Sequence, residues 1–241
     1  MQVDGAKRQN RRIGVIMLNT HFPRLLGDVG NPDTFSAPFF SDTLSCETLY
    51  RRVDVATVDQ VISDTGVPEQ VSAAIFTAAK ELDQADVDLI VTSCGFLGEL
   101  QGDLEQQIST PVLSSSLALI PLIRGVFGAK APLGVITFNS QKLKPLHFNG
   151  YYDEGITIQG VEKGKELHRV ISQDLRKMDE RLAREDVIQA TKALIEGISP
   201  PKAIILECTN LSPYIDTVRK QSQVPVFDLI QGIRWLMQAH G

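Results

Sequence analysis

Asp88-Leu89-Ile90-Val91-Thr92-Ser93-Cys94-Gly95 and Ala203-Ile204-Ile205-Leu206-Glu207-Cys208-Thr209-Asn210 carry one pattern twice. In each, a short apolar run leads directly to a cysteine. A run this short, with β-branched residues and no polar alternation, reads as a strand buried on both faces of a parallel sheet. The echo continues outward. Pro111-Val112 follows Cys94 by 17 residues (94 to 111), and Pro225-Val226 follows Cys208 by 17 (208 to 225). Upstream, Ile13-Gly14-Val15-Ile16 matches Leu133-Gly134-Val135-Ile136, and Asn19 and Asn139 each lie five residues past the glycine. Glycine to cysteine spans 80 residues in one copy (14 to 94) and 74 in the other (134 to 208).

The repeat predicts an α/β protein of two pseudo-symmetric Rossmann-like lobes with parallel sheets and an active site in the cleft between them. The expected divisions are a polar leader at 1–12, a first lobe at 13–128 and a second at 129–241, with the last helix returning to the first lobe. Further strands are expected at 53–58, 111–113, 133–138, 156–161 and 224–227. Helices are expected at 68–84, 100–108, 117–127, 143–148, 179–196, 214–221 and 229–239. The alternation of the two element types is the α/β signature. Each cysteine then falls in the loop after the C-terminal end of a parallel strand, where open α/β sheets bind their ligands.

Composition narrows the function. The chain has 241 residues, 43% of them hydrophobic, and a net charge of −5. That charge argues against nucleic acid as a partner. No apolar run approaches the ~20 residues of a membrane span, and the polar, basic leader has no signal-peptide core. Three cysteines without a CxxC suggest neither a disulfide framework nor a zinc ribbon. A reducing cytoplasm is the expected setting, with no metal and no cofactor. The expected partner is a small carboxylate substrate, and a homo-oligomer is possible.

Two thiols aimed at one carbon have a specific use. Inverting a carbon requires a base on one face and an acid on the other. A thiol near pKa 8.5 needs only a modest downward shift to be partly thiolate at neutral pH, and a helix N-terminus or a cation supplies one. Cys94 and Cys208 are therefore the candidate catalytic pair. The bland reading, two buried structural thiols, stands beside it.

Ser93-Cys94-Gly95 and Glu207-Cys208-Thr209-Asn210, each after an apolar strand, resemble the two cysteine motifs of the aspartate/glutamate/hydantoin racemase superfamily. The 27–35 stretch resembles poorly characterised members of it. The resemblance implies a bilobal α/β enzyme, free of cofactor, that racemises or epimerises a small carboxylate-bearing substrate by thiol/thiolate proton transfer. Better-known members have Asn-Thr directly after the first cysteine, where this chain has Gly95-Phe96. That departure points away from aspartate or glutamate as substrate and toward an apolar pocket wall. Related enzymes on this scaffold act as cysteine-dependent cis-trans isomerases or decarboxylases. A non-catalytic protein that binds a small acid is the alternative from another class.

The candidate substrate-binding residues are Asn19, Thr20, Ser93, Gly95, Phe96, Thr137, Asn139, Ser140, Thr209 and Asn210. Asn19, Thr20, Asn139 and Ser140 follow the first strand of each lobe and either bind a carboxylate or close turns. Ser114 to Ser116 reads as a helix cap. Cys46 has no repeat partner and reads as a bystander. The 27–35 loop reads equally as a lid over the cleft or as a surface loop. His21, His147, His168 and His240 are scattered, with His168 the one placed to assist a thiol. The charged run at 163–184 reads as a solvated helix face.

Overall fold

A computed structural model describes residues 11–41 and 45–239. Residues 1–10 of the expected leader, and His240, lie outside the described residues. The first sheet contains β1 (Arg11–Leu18), β2 (Cys46–Val53), β3 (Leu89–Thr92) and β4 (Val112–Leu113); the second contains β5 (Leu133–Thr137), β6 (Ile156–Gly160), β7 (Ala203–Leu206) and β8 (Val226–Phe227). Their orders are β2-β1-β3-β4 and β6-β5-β7-β8, the same topology twice. Every pairing is parallel. Equivalent residues also hold equivalent register: Gly14 lies opposite Ile90, and Gly134 opposite Ile204.

Each sheet is covered by a matching long helix, α2 (Glu69–Gln84) on the first and α6 (Glu180–Ile195) on the second. The repeated glycines allow that approach. A Cβ on Gly14 would meet the Leu82 side chain at 3.1 Å, and one on Gly134 would meet Leu194 at 2.6 Å and Pro201 at 3.2 Å. Overpacking a core costs about 1–3 kcal/mol, against about 0.5–1 kcal/mol gained by removing a strand glycine. Gly134→Ala is therefore expected to lose about 1 kcal/mol net in urea unfolding, and Gly14→Ala less. Equal midpoints for all three proteins would contradict this packing.

The other faces of the sheets are covered by exchange. The helix closing the first half, α4 (Ile120–Phe127), turns to the second sheet, where Phe127 meets Phe227 of β8 edge-on at 6.2 Å. The helix closing the second half, α8 (Leu229–Ala239), returns to the first sheet. Its Leu229, Ile230, Ile233 and Met237 pack with Ile13, Val15, Leu89 and Val91. A continuous core joins Ile16 and Ile90 to Val135 and Ile205 through Phe96, Leu97 and Phe148.

Several elements differ from expectation. The second strand is Cys46–Val53, not 53–58. Residues 54–57 turn, and α1 (Val58–Val61) follows. This is an edge strand whose charged residues face outward, so it lacks the apolar run of its neighbours. β1 begins at Arg11, two residues earlier than the apolar run. Residues 95–100 and 209–214 form 3-10 helices ahead of the short α3 (Gln101–Gln107) and α7 (Ile215–Ser222). The expected helix at 143–148 is a 3-10 helix over Pro145–Phe148. The 163–184 run is not one solvated face, because it contains α5 (Leu167–Ser172), whose Leu167, Val170 and Ile171 are buried. No helix among the described residues is long and apolar enough to cross a membrane.

Candidate active site

The two cysteines sit at matching places. Cys94 lies two residues past β3 and N-caps the 3-10 helix Gly95–Leu100; Cys208 lies two past β7 and N-caps Thr209–Tyr214. Both line one cavity. Its walls are largely apolar, with Leu18, Phe22, Val58, Ile62, Phe96, Phe138 and Ile171. The polar lining comes from Ser93, Arg24, Glu207 and Asn210, with Gly95 completing the floor. The space between these walls is narrow, about 20 Å³, little more than a single water needs. Arg24 is the one cation among the lining residues and Glu207 the one acid.

Hydrogen bonds tie the two halves together around this cavity. Thr209 Oγ1 donates to the Ser93 carbonyl at 2.8 Å, and Ser116 Oγ to the Leu206 carbonyl at 2.7 Å. Asn210 Nδ2 donates to Asp28 Oδ2 at 2.5 Å, while its Oδ1 accepts the Cys208 thiol at 3.6 Å. Arg24 donates to both oxygens of Asp28 at 3.1 and 3.2 Å and to Thr20 Oγ1 at 3.1 Å, and stacks 4.4 Å from the Phe22 ring. Thr137 Oγ1 donates to Glu207 Oε2 at 2.6 Å, leaving the buried Oε1 without a partner.

Electrostatics in the resting protein run opposite to the sequence expectation. Burial, and then the Glu207 carboxylate, push the Cys94 thiol up to about 12, with the N–H groups of Phe96 and Leu97 and the Arg24 cation opposing. Burial, Glu207 and Cys94 raise Cys208 well above the ordinary thiol value. Burial in this largely apolar cavity disfavours the thiolate more than two short 3-10 turns favour it. Glu207 itself is raised to about 7 by burial, against its bonds from Thr137 and the Phe138 N–H.

Of the sequence candidates, Cys94, Cys208, Ser93, Gly95, Phe96 and Asn210 come together at the cavity. Thr20, Thr137 and Thr209 stand behind it and hold Arg24, Glu207 and Ser93 in place. Asn19, Asn139 and Ser140 do not line it. Asn19 bonds to Asp54, Asn139 closes a turn onto Gln141, and Ser140 binds Glu162. Ser115 caps its 3-10 helix through Leu117, as expected. Cys46 is buried outside the cavity, its thiol raised to about 11 chiefly by burial.

His168 stacks on Phe138 at 4.6 Å, His147 packs under Phe96 at 4.7 Å and His21 pairs with Asp174; none lines the cavity. The described residues contain no group of three or more His, Cys, Asp or Glu placed to hold a metal. The 27–35 loop is packed in: Asp28, Val29, Thr34 and Phe35 are buried, and Thr34 Oγ1 bridges the Gly27 N–H and the Asp28 carbonyl. Arg24 and Glu207 were missed. Glu207 carried a signal, a lone acid between a buried strand and a motif cysteine; Arg24, between a proline and two leucines, carried none.

Solved structures share this architecture. The aspartate racemase of Picrophilus torridus matches with a TM-score of 0.59 and 14% identity, over 95% of this chain and 94% of that one. The allantoin racemase of Klebsiella pneumoniae gives 0.57 and 16%, over 95% and 87%. Unliganded arylmalonate decarboxylase gives 0.57 and 12%, over 96% and 93%. The chain shares the fold of these two racemases and of the decarboxylase.

That fold hosts more than one reaction among these neighbours, so it does not fix this one. No protein-family model matches the chain. By sequence it is similar to a dimethylsulfoniopropionate lyase of Durusdinium sp. clade D, 29% identical over 226 residues that make up 90% of this chain and 71% of that protein. It is also similar to dimethylsulfoniopropionate lyase 6 of Emiliania huxleyi, 30% identical over 227 residues, 90% of this chain and 57% of that protein. The chain thus spans little more than half the length of the second relative.

Proposed function

We propose that this chain is a cysteine-dependent lyase that removes a proton α to the carboxylate of a small β-sulfonium acid, of the dimethylsulfoniopropionate kind, and expels the sulfide. The observation that carries this reading is the single cavity lined by Cys94, Cys208 and Arg24. Arg24 supplies a planar cation for the substrate carboxylate. A cysteine thiolate takes the α-proton. The electron pair left on the α-carbon forms the new double bond as the carbon–sulfur bond breaks, and the sulfide departs with its own pair.

The remaining lining suits a cationic sulfur. Phe22, Phe96 and Phe138 offer aromatic surface to a positive group. Gly95-Phe96, in place of a polar pair, leaves the wall apolar, which fits a substrate without an amino group. The names of the similar lyases point the same way. A racemase reading is favoured by one observation, the retention of a cysteine at the same position in both halves.

The experiment is incubation with dimethylsulfoniopropionate in D2O, following acrylate and dimethyl sulfide and, in parallel, α-deuteration of chiral amino and hydroxy acids. Acrylate and sulfide appearing together are the expected result. Deuterium incorporation with inversion of a chiral acid, and no sulfide, would replace the lyase with a racemase.

A further inference from the structure

Ser93 and Glu207 occupy the same place in the two halves. Each precedes its cysteine and donates its backbone N–H to the central strand, Ser93 to Ile16 at 3.0 Å and Glu207 to Ile136 at 2.9 Å. Ser93 Oγ then accepts the Leu18 N–H at 3.0 Å. Phe138, the counterpart of Leu18, has its N–H close enough to the Glu207 carboxylate to favour its charged form. A serine would satisfy the backbone at either place, yet the second half has a carboxyl that reaches further. Its Oε1 lies 2.3 Å from where a Cβ on Gly95 would stand, is buried, and has no partner. Buried polar atoms are rarely left unpaired, so each such atom calls for an explanation.

The proposed chemistry leaves one proton without a destination. A two-base racemase gives its product one proton for each it removes, so its cysteine pair ends with as many protons as it began with. The elimination does not: the zwitterion gives acrylate, dimethyl sulfide and one proton, and that proton remains on a buried thiol. A second turnover requires its removal.

We infer that Glu207 is the proton acceptor of the cysteine pair: with the next sulfonium cation in the cavity to favour the thiolate, its carboxylate takes the proton left on the thiol, and it passes that proton to solvent as product leaves. This rests on the elimination reading. The groups around Glu207 are few. Cys94 enters from the turn after β3 and Cys208 is next in the chain, with Thr137 on β5. Arg24 and Asp28, from the stretch after β1, pair with each other. Glu207, raised to about 7 by burial, exchanges protons near neutrality.

The test is Glu207→Gln, which keeps the side-chain shape and an acceptor for Thr137. In the wild type, kcat for dimethylsulfoniopropionate should rise with pH through about 7, because the carboxylate must be ionised to accept. In Glu207→Gln that rise should vanish and kcat fall about 100-fold, with KM within about threefold, the size of a small polar change. Its thiols should nevertheless alkylate faster at neutral pH, because the carboxylate that raises them is gone. Unfolding would also slow catalysis and free the buried thiols, so a wild-type urea midpoint and a preserved KM are what separate loss of the acceptor from loss of the fold.

Thr137→Val is the second variant. Losing its hydrogen bond to Oε2 should move the pH rise upward. Wild-type kcat and pH profile in Glu207→Gln would overturn the proposal, as would an unmoved profile in Thr137→Val. Should the wild type leave the sulfonium acid untouched, the elimination reading fails on its own. The alkylation profiles then judge Glu207, and identical profiles for wild type and Glu207→Gln would overturn its coupling to the thiols.

Discussion

Cys94→Ser and Cys208→Ser are each expected to lower the rate of α-proton removal by about 10²–10⁴-fold, the usual worth of a positioned acid or base. Serine fills nearly the same volume, so folding should survive, but its hydroxyl is far too weak an acid to supply the base. The double variant should be no slower than the worse single one, because residues that act as a unit lose their joint contribution with the first removal. Rapid-quench measurement of acrylate, with melting temperatures beside it, checks both statements. A double variant slower by the product of the single effects would mean that the two thiols act independently. The argument is local: both sulfurs belong to residues lining one cavity, and both thiols are raised by the same Glu207.

Gly95→Ala is the second large effect. A Cβ at Gly95 would stand 2.2 Å from the Glu207 carbonyl oxygen and 2.3 Å from its Oε1. The carbonyl belongs to the main chain at the end of β7 and has no rotamer to escape into. The loop carrying Cys94 must therefore move away from the loop carrying Cys208. Overpacking alone costs about 1–3 kcal/mol, and a displacement of ~1 Å between reacting groups costs about 100-fold in rate. Gly95→Ala should thus lose both stability and kcat, measured by urea unfolding and by initial rates. An alanine variant with wild-type kcat would show that the spacing of the two loops does not matter to the chemistry. This contact also accounts for the absence of an Asn-Thr pair after Cys94, since asparagine at this position would strike Glu207.

The sequence carried the fold plainly where apolar runs repeat at fixed intervals. Ile13-Gly14-Val15-Ile16 and its copy, and the cysteine-to-Pro-Val spacing, correspond to identical strand orders and registers. It carried the edges poorly. Cys46–Val53 is a strand because β1 pairs with it, and its exposed charges hide it from a search for apolar runs. The cavity was half legible. The cysteines announced themselves through the repeat, as did Ser93, Gly95, Phe96 and Asn210 beside them. Arg24 is brought in by the turn after β1, which no periodicity reports. The direction of the thiol shifts was also out of reach, because burial depends on how tightly Phe22, Phe96 and Phe138 close over the sulfurs.

The exchange of α4 and α8 has a consequence for folding. Each half of the chain makes a helix that its own sheet does not use and leaves a sheet face that only the other half can cover. Severed near Gly128, either fragment would expose an apolar wall with nothing of its own to lay against it, so the halves are duplicates in form yet mutually dependent for solubility. The chain gains its stability as one cooperative body, and the loops bearing the two sulfurs take up their final spacing only when both parts have closed on each other.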